Sequence, residues 1–180
     1  MASMDYRRRL ETENSKALWL EILNDVGTSK EKFSILVELF LNDDQRIALS
    51  SSQIVGKIAE KKQKLVKPYL IRFVKHLKTN PIDGVKRNIL RSFQFNDVPK
   101  EVEGEMFDIA LKYLISIDEA VAIKAFSMTV LRKICQLYPD LTQEVIPTLE
   151  LLVQESDSPG IKSRGNKELI LLKEIGAKLA

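Results

Sequence analysis

The feature that most constrains this chain is a pattern of apolar residues that recurs every 38 positions. Ile123 is preceded at that spacing by Val85 and Ile47 and is followed by Ile161. Two further columns share the period, one comprising Val55, Phe93, Leu131 and Leu169 and the other Leu39, Leu77, Ile115 and Val153. Three columns with one period predict an array of repeated helical units, because such units bury their apolar faces against their neighbours.

Each unit is predicted to contain one helix before a turn, called A, and one helix after it, called B. The columns place four repeats at residues 29–62, 63–98, 99–139 and 140–180, all within a single domain. Residues 1–28 lie outside this register. Their turn-spaced apolar residues, such as Leu18 and Ile22, predict one helix over residues 4–26 that caps the first repeat.

Local signals predict where the helices begin. Thr28 and Glu31 have the spacing of a capping box that opens the first A helix. Asp83 is the expected N-cap of the second B helix, in a turn that also contains Pro81. Ser158 is the expected N-cap of the fourth B helix, with Pro159 in its first turn. That last helix is apolar on several sides, which predicts a homodimer or a partner contact at the C-terminal helix.

Composition limits the class of protein. A chain of 180 residues that is 44% hydrophobic can bury a sizeable core. Cys135 is the only cysteine, so the chain can form no internal disulfide, and we expect a reducing, cytoplasmic location. No apolar run approaches the length of about 20 residues that spans a membrane, and residues 1–10 have no secretory apolar segment.

Signals for enzymatic chemistry are weak throughout the sequence. His76 is the only histidine, which excludes a histidine-rich metal site. Residues 160–167 have the glycine spacing of a phosphate-binding loop, but Asn166 stands where the lysine belongs. Cys135 is expected to be a buried, inert thiol. The acidic residues of one helix start are expected to be solvated there: Glu101, Glu103, Glu105 and Asp108. We therefore predict no catalytic residue, no metal and no cofactor.

The turns and helix starts resemble those of HEAT repeats. In that family an aspartate in the turn is followed by an apolar-basic pair that opens the second helix. The aspartates here are Asp43, Asp83, Asp118 and Asp157, and the pairs are Val85-Lys86, Ile123-Lys124 and Ile161-Lys162. The resemblance covers residues 29–180 and implies an all-α, right-handed superhelix of four helix pairs. It also implies that the B helices line the concave side and that Lys86, Lys124 and Lys162 pair with turn aspartates of neighbouring repeats.

The predicted B helices are rich in positive charge. They contain fifteen basic and seven acidic residues, whereas the predicted A helices are slightly acidic. If the B helices share one surface, that surface attracts nucleic-acid phosphates or an acidic protein segment. The candidate contact residues are those outside the structural columns: Arg87, Arg91, Arg132, Lys133, Arg164 and Lys167.

Two functional hypotheses stay open. The first is a non-enzymatic scaffold or adaptor that binds a protein segment on its concave or terminal face. The second is a nucleic-acid-binding protein that uses the basic B-helix face. HEAT-like alkylpurine DNA glycosylases give the second hypothesis a concrete form, but their chemistry needs aromatic residues and a carboxylate in the groove. The only tryptophan, Trp19, lies outside the repeats, and no catalytic position can be transferred.

Overall fold

The repeat pattern folds into helices throughout the part of the chain that the computed structural model describes, residues 5–80 and 82–179. All regular structure in these residues is helical, which confirms the predicted all-α class. The chain divides after Asn96 into two compact units. This division lies two residues before the predicted boundary between the second and third repeats. Pro81, expected in the second turn, lies outside the described residues.

The first unit is organised around its longest helix. Its helices are α1 (Tyr6–Thr12), α2 (Lys16–Val26), α3 (Lys30–Asn42), α4 (Gln45–Lys61), α5 (Gln63–Val66), α6 (Leu70–Leu77) and α7 (Asp83–Ser92). A 3-10 turn at Lys67–Tyr69, which contains Pro68, separates α5 from α6. Helix α4 packs against α3, α7, α1 and α2. The pairing of α4 with α7 brings two successive B helices side by side.

The second unit repeats the pairing of A and B helices. Its helices are α8 (Glu103–Ile115), α9 (Val121–Leu137), α10 (Thr142–Glu155) and α11 (Pro159–Gly176). Short 3-10 turns precede α8 at Lys100–Val102 and α10 at Pro139–Leu141. Helix α9 packs against α8 and α11, and α11 packs against α10. Both units therefore place neighbouring B helices in contact, as a stack of repeats requires.

Two predicted helix starts shift by one residue and one is confirmed. Ser29, not Thr28, caps α3, because its hydroxyl accepts a hydrogen bond from the backbone N–H of Lys32. Asp83 is the first residue inside α7, and the N-cap position belongs to Ile82. Ser158 caps α11 as predicted, since its hydroxyl accepts from the backbone N–H of Ile161.

The N-terminal segment forms two helices where the sequence predicts one. Residue Glu13 is extended, with φ −143°, and Ser15 caps a new helix by accepting from the backbone N–H of Leu18. Local capping therefore breaks a continuous apolar pattern. Helix α2 ends at Gly27, as expected, in a conformation with φ of +50° that side chains other than glycine rarely adopt.

Two of the three repeat columns are confirmed as core. Every member of the columns containing Ile123 and Leu131 is buried, and these two residues have no exposed surface. The third column is not buried throughout, because Leu77 is 3% exposed whereas Ile115 is 63% exposed. It is the last residue of α8, and the preceding Leu114 takes the buried position instead. A one-residue shift around a helix end is enough to exchange the two faces.

Small and polar residues allow α4 and α7 to approach closely. Ser50, Ser51 and Ser52 are all buried in α4, as expected for helix-packing positions. The Oγ of Ser52 accepts a hydrogen bond of 2.7 Å from the side-chain amide of Asn88 in α7. The buried Asn96 breaks the apolar repeat pattern because its amide donates to the carbonyl of Ala59. Ser52 and Asn88 are therefore hydrogen-bonded across the two helices, whereas the hydroxyl of Ser51 donates to the carbonyl of Ile47 in its own helix.

No helix within residues 5–80 and 82–179 is both long enough and apolar enough to cross a membrane.

Candidate functional site

Two of the six predicted contact residues hold a buried carboxylate between α9 and α11. Glu168 is 2% exposed, and its Oε2 accepts from the Nε of Arg132 at 2.7 Å. Its Oε1 accepts from the hydroxyl of Thr129 at 2.5 Å and lies 3.6 Å from Nη1 of Arg164. Arg164 also donates to the Thr129 hydroxyl at 3.0 Å. This cluster joins two neighbouring repeats, so both arginines have a structural role.

Two other predicted contact residues, Arg91 and Lys133, also form ion pairs. Arg91 lies 3.1 Å from Glu60, and both side chains are more than one-third exposed. Lys133 lies 3.0 Å from Asp97, and only 19% of the lysine side chain is exposed. Carboxylates therefore offset the positive charge of four of the six candidate residues.

Arg87 and Lys167 differ from the other four. Neither forms an ion pair with any described residue, and Lys167 is exposed whereas Arg87 is half-buried. They lie in different compact units, Arg87 on α7 and Lys167 on α11. Of the predicted set, these two keep an unpaired positive charge.

The expected lysine ladder is not present as a repeating feature of the described residues. Lys86 is buried and lies 3.0 Å from Asp83, three positions earlier in its own helix. Lys124 and Lys162 form no ion pair within the described chain. Helix geometry explains the Lys86 pair, because residues three apart face each other on one helix surface.

The sequence candidates for nucleophilic or metal chemistry, Cys135 and His76, are both at least partly buried. Cys135 is buried, as predicted, and burial raises the pKa of its thiol to about 11. His76 lies edge-on to the ring of Phe40, and its Nε2 lies 2.7 Å from the amide of Asn80. Burial lowers the pKa of His76. Trp19 is half-buried and its indole N–H donates to Asn14.

Among the acidic residues at the start of α8, Glu103 departs from the sequence prediction. The acidic residues at the start of α8 were expected to be solvated, but Glu103 is only 9% exposed. Positions 103, 106, 107 and 110 lie on one face of the helix, and Met106, Phe107 and Ala110 are all buried. Glu103 thus occupies a core position of the helical period. This spacing was the signal that would have identified it.

Glu103 opens onto a groove between α8 and α9. Two adjoining depressions, of about 380 and 390 Å³, share Lys100, Glu103 and Ile134 as lining residues. We call them together the Glu103 groove. Phe107, Ile134 and Leu141 line the first depression with apolar surface, and Asp108 and Tyr138 add polar groups. The second extends past Asp97, Lys133, Gln136 and Leu137. All of these residues belong to the second unit.

Gly104 leaves the groove open on its α8 side. It lines the first depression, and a Cβ built there would meet no atom within 4 Å. Glycine destabilises a helix relative to alanine, so neither backbone conformation nor local packing accounts for its presence. What the glycine provides at this position is unobstructed space beside Glu103.

A tyrosine hydroxyl is the hydrogen-bond partner of the Glu103 carboxylate. The hydroxyl of Tyr138 donates to Oε2 of Glu103 at 2.6 Å. This hydrogen bond, together with the negative charge of the carboxylate, raises the pKa of Tyr138. No lysine or arginine of the described residues forms an ion pair with Glu103. Chemically, Glu103 presents an acceptor with one neutral donor and no ion pair, while Lys100 and Lys133 line other parts of the groove.

The rim of the groove exposes large apolar side chains. Leu137 is 59% exposed and Tyr138 is 45% exposed, at the point where α9 ends. They extend the apolar lining of the groove onto the adjacent surface. Together with the carboxylate, this surface combines apolar area with a directional polar group, as protein-binding sites commonly do.

A family model described as HEAT repeat domain matches residues 6–172 of the chain. The match therefore includes α1 and α2, which precede the predicted repeats. No curated protein and no solved structure was found to match the chain.

Proposed function

The chain belongs to the HEAT repeat domain family, and from this premise we propose that it is a non-enzymatic scaffold or adaptor that binds a segment of a protein partner. Repeats of this family stack into extended surfaces that generally mediate protein interactions. The single observation that carries the proposal is the Glu103 groove with its apolar rim. A groove with a buried carboxylate and exposed Leu137 and Tyr138 has the composition of a peptide-binding surface.

Properties of other parts of the chain support two smaller elements of the proposal. The only cysteine is a buried free thiol, which is compatible with the reducing conditions of the cytoplasm, where we place the protein. Ile170 is 62% exposed on α11, and it supports a homodimer through the C-terminal helix as a separate proposal.

The alternative, a nucleic-acid-binding protein, has narrower support. It now rests on Arg87 and Lys167, because the other four candidate residues are ion-paired. Each phosphate contact adds affinity through release of counterions, and ion pairing occupies four of the six candidate contacts. We therefore prefer the protein-binding function.

Replacing Leu137 with aspartate tests the proposed function. We expect the tagged wild-type chain to retain specific proteins from extracts of its native host and Leu137→Asp to lose at least one of them. The charge would have to be desolvated where a partner covers the apolar rim. Quantitative mass spectrometry of captured proteins gives the measurement.

Leu151→Asp provides a matched control. Leu151 is 54% exposed on α10, so the substitution makes the same chemical change in the same unit. Retention of all partners by Leu151→Asp is expected. If the wild-type chain enriches no protein over the tag alone, the proposed function is wrong. If both variants retain every partner equally, the Glu103 groove is not the binding surface.

A further inference from the structure

We propose that the Glu103 groove receives an arginine side chain of the partner segment, with its guanidinium donating to the Glu103 carboxylate. The proposal deepens the protein-binding function and rests on it. It assigns a chemical class to the occupant of the groove: a basic peptide segment whose anchor is arginine.

The first support is the unbalanced charge of Glu103. A buried carboxylate is costly unless an opposite charge or several hydrogen-bond donors compensate it. Glu168 in the same unit shows such compensation, with two arginines and a threonine hydroxyl around it. Glu103 accepts from the hydroxyl of Tyr138 and forms no ion pair with the described residues, although Lys100 and Lys133 line the same groove. A cationic ligand would supply the missing charge.

The second support is the sign of the local charge. The stretch from residue 97 to residue 108 contains five acidic residues and one basic residue. Asp108 lines the same depression as Glu103, and a second carboxylate can accept from another edge of a guanidinium. Complementary potentials of this kind select a basic segment and disfavour an acidic one.

The third support is shape. The depression beside Glu103 measures about 380 Å³, which lies at the small end of the range of about 300–1,000 Å³ for ligand pockets. It fits a side chain better than a folded surface. The aromatic residues Phe107 and Tyr138 line it, and a planar guanidinium stacks on aromatic rings more readily than an ammonium does. Arginine is therefore preferred over lysine.

Lys100 allows a test of whether the groove binds a positively charged ligand. It lines both depressions, is exposed, and forms no ion pair with the described residues. Its ammonium repels an incoming cation and competes for the same carboxylates. Removing this charge should strengthen binding of a basic ligand, whereas removing the charge of Glu103 should weaken it.

The experiment is an NMR titration of the full chain with three blocked tripeptides that carry arginine, lysine or glutamate at the centre. We expect the arginine peptide to shift the amide signals of Gly104 and Tyr138 with a Kd of about 1–10 mM, the weak affinity typical of a single anchor. The lysine peptide should bind more weakly, and the glutamate peptide should leave these signals unchanged.

Four variants sharpen the test. Glu103→Gln keeps an acceptor for Tyr138 but removes the charge, and should weaken the arginine peptide at least about tenfold. Lys100→Ala should bind it more tightly than the wild type. Gly104→Trp should abolish binding by filling the groove, whereas Leu151→Asp, at an exposed position of α10 outside the groove, should leave binding unchanged. Thermal unfolding of each variant checks that the fold is intact.

Several outcomes would overturn the proposal. Equal shifts with the arginine and glutamate peptides would show that charge plays no part. Unchanged affinity in Glu103→Gln, or arginine-dependent shifts confined to residues outside the groove, would do the same. If Leu137→Asp loses a captured protein while the arginine peptide shifts nothing, the arginine assignment fails and the protein-binding function stands.

Discussion

At the scale of single residues, the second unit contains two buried carboxylates with opposite surroundings. Both Glu103 and Glu168 occupy positions of the helical period that apolar residues normally fill. Glu168 is neutralised by Arg132 and Arg164, so it joins helices. Glu103 has a tyrosine hydroxyl and faces a groove. The two carboxylates therefore differ in role: Glu168, which is paired with arginines, is structural, whereas Glu103, which forms no ion pair, is a candidate binding residue.

Arg132→Ala is predicted to destabilise the protein by about 3 kcal/mol, because it leaves a buried carboxylate short of one partner. The cost lies at the low end of the range for broken buried pairs, since Arg164 and Thr129 still contact Glu168. Urea unfolding monitored by circular dichroism gives the measurement.

Lys173→Ala is the matched control for that experiment. Lys173 on α11 lies 2.6 Å from Glu150 on α10, and both side chains are about half exposed. Exposed ion pairs contribute about 0–1 kcal/mol, so little change is expected. Equal losses of stability in the two variants would mean that burial does not set the strength of the Arg132 pair.

At the scale of helices, close approach depends on which glycines face a neighbour. Gly165 on α11 lies against Val153 of α10, and a Cβ at Gly165 would overlap the Cγ2 of that valine. A Cβ at Gly104 on α8 would meet no atom within 4 Å. Both glycines lie inside helices of the second unit, so their roles differ because of the atoms around them and not because of the type of helix position.

Gly165→Ala is predicted to destabilise the protein by about 1–3 kcal/mol, because the rigid valine cannot move aside without shifting α10. Gly104→Ala is predicted to stabilise it by about 0.4–1 kcal/mol, since alanine restricts the unfolded chain and meets no atom. Thermal unfolding of the two variants measures both signs. A stabilising Gly165→Ala would show that α10 and α11 are less closely packed than described.

The repeat period predicted most of the helices and the two core columns, and the reasons for the remaining errors are local. Periodicity reports which face a residue occupies, and it placed Ile123 and Leu131 correctly. It does not locate helix ends, so Ile115, the last residue of α8, shares a column with the buried Leu77 although its own side chain is exposed. Residue type alone does not show burial either. Acidic residues usually lie in solvent, so the sequence predicts an exposed Glu103.

The candidate site was less predictable than the fold. Excluding the core columns selects basic residues, but Arg91 and Arg132 pair with carboxylates 31 and 36 positions away in sequence, whereas the Arg164 pair is local. A charge count assigns no partners. The groove itself arises where α8 and α9 meet Tyr138, 35 positions after Glu103, so only the three-dimensional arrangement could identify it.

At the scale of the whole molecule, the formal net charge of +3 leaves little attraction for nucleic acid. Six of the fifteen basic residues of the predicted B helices form ion pairs with described carboxylates, among them Arg91, Arg132 and Lys133. Electrostatic steering depends on the net field of a surface, and paired charges add little to it.

We predict no salt-dependent binding of labelled duplex or single-stranded DNA or RNA, measured by fluorescence anisotropy at decreasing ionic strength. Arg87→Glu combined with Lys167→Glu serves as the comparison, because these residues form no ion pair with described residues. Binding by the wild type that weakens with salt and is lost in the double variant would establish the nucleic-acid alternative.

The burial of Cys135 has a practical consequence for fluorescence measurements of binding at the Glu103 groove. Its thiol is inaccessible, and a pKa of about 11 leaves almost no thiolate at neutral pH to attack an alkylating reagent. We therefore expect the native thiol not to react with thiol-directed dyes. A single cysteine introduced at the exposed Gln136, on the groove wall, would carry a fluorophore at one known position without any change to the native thiol.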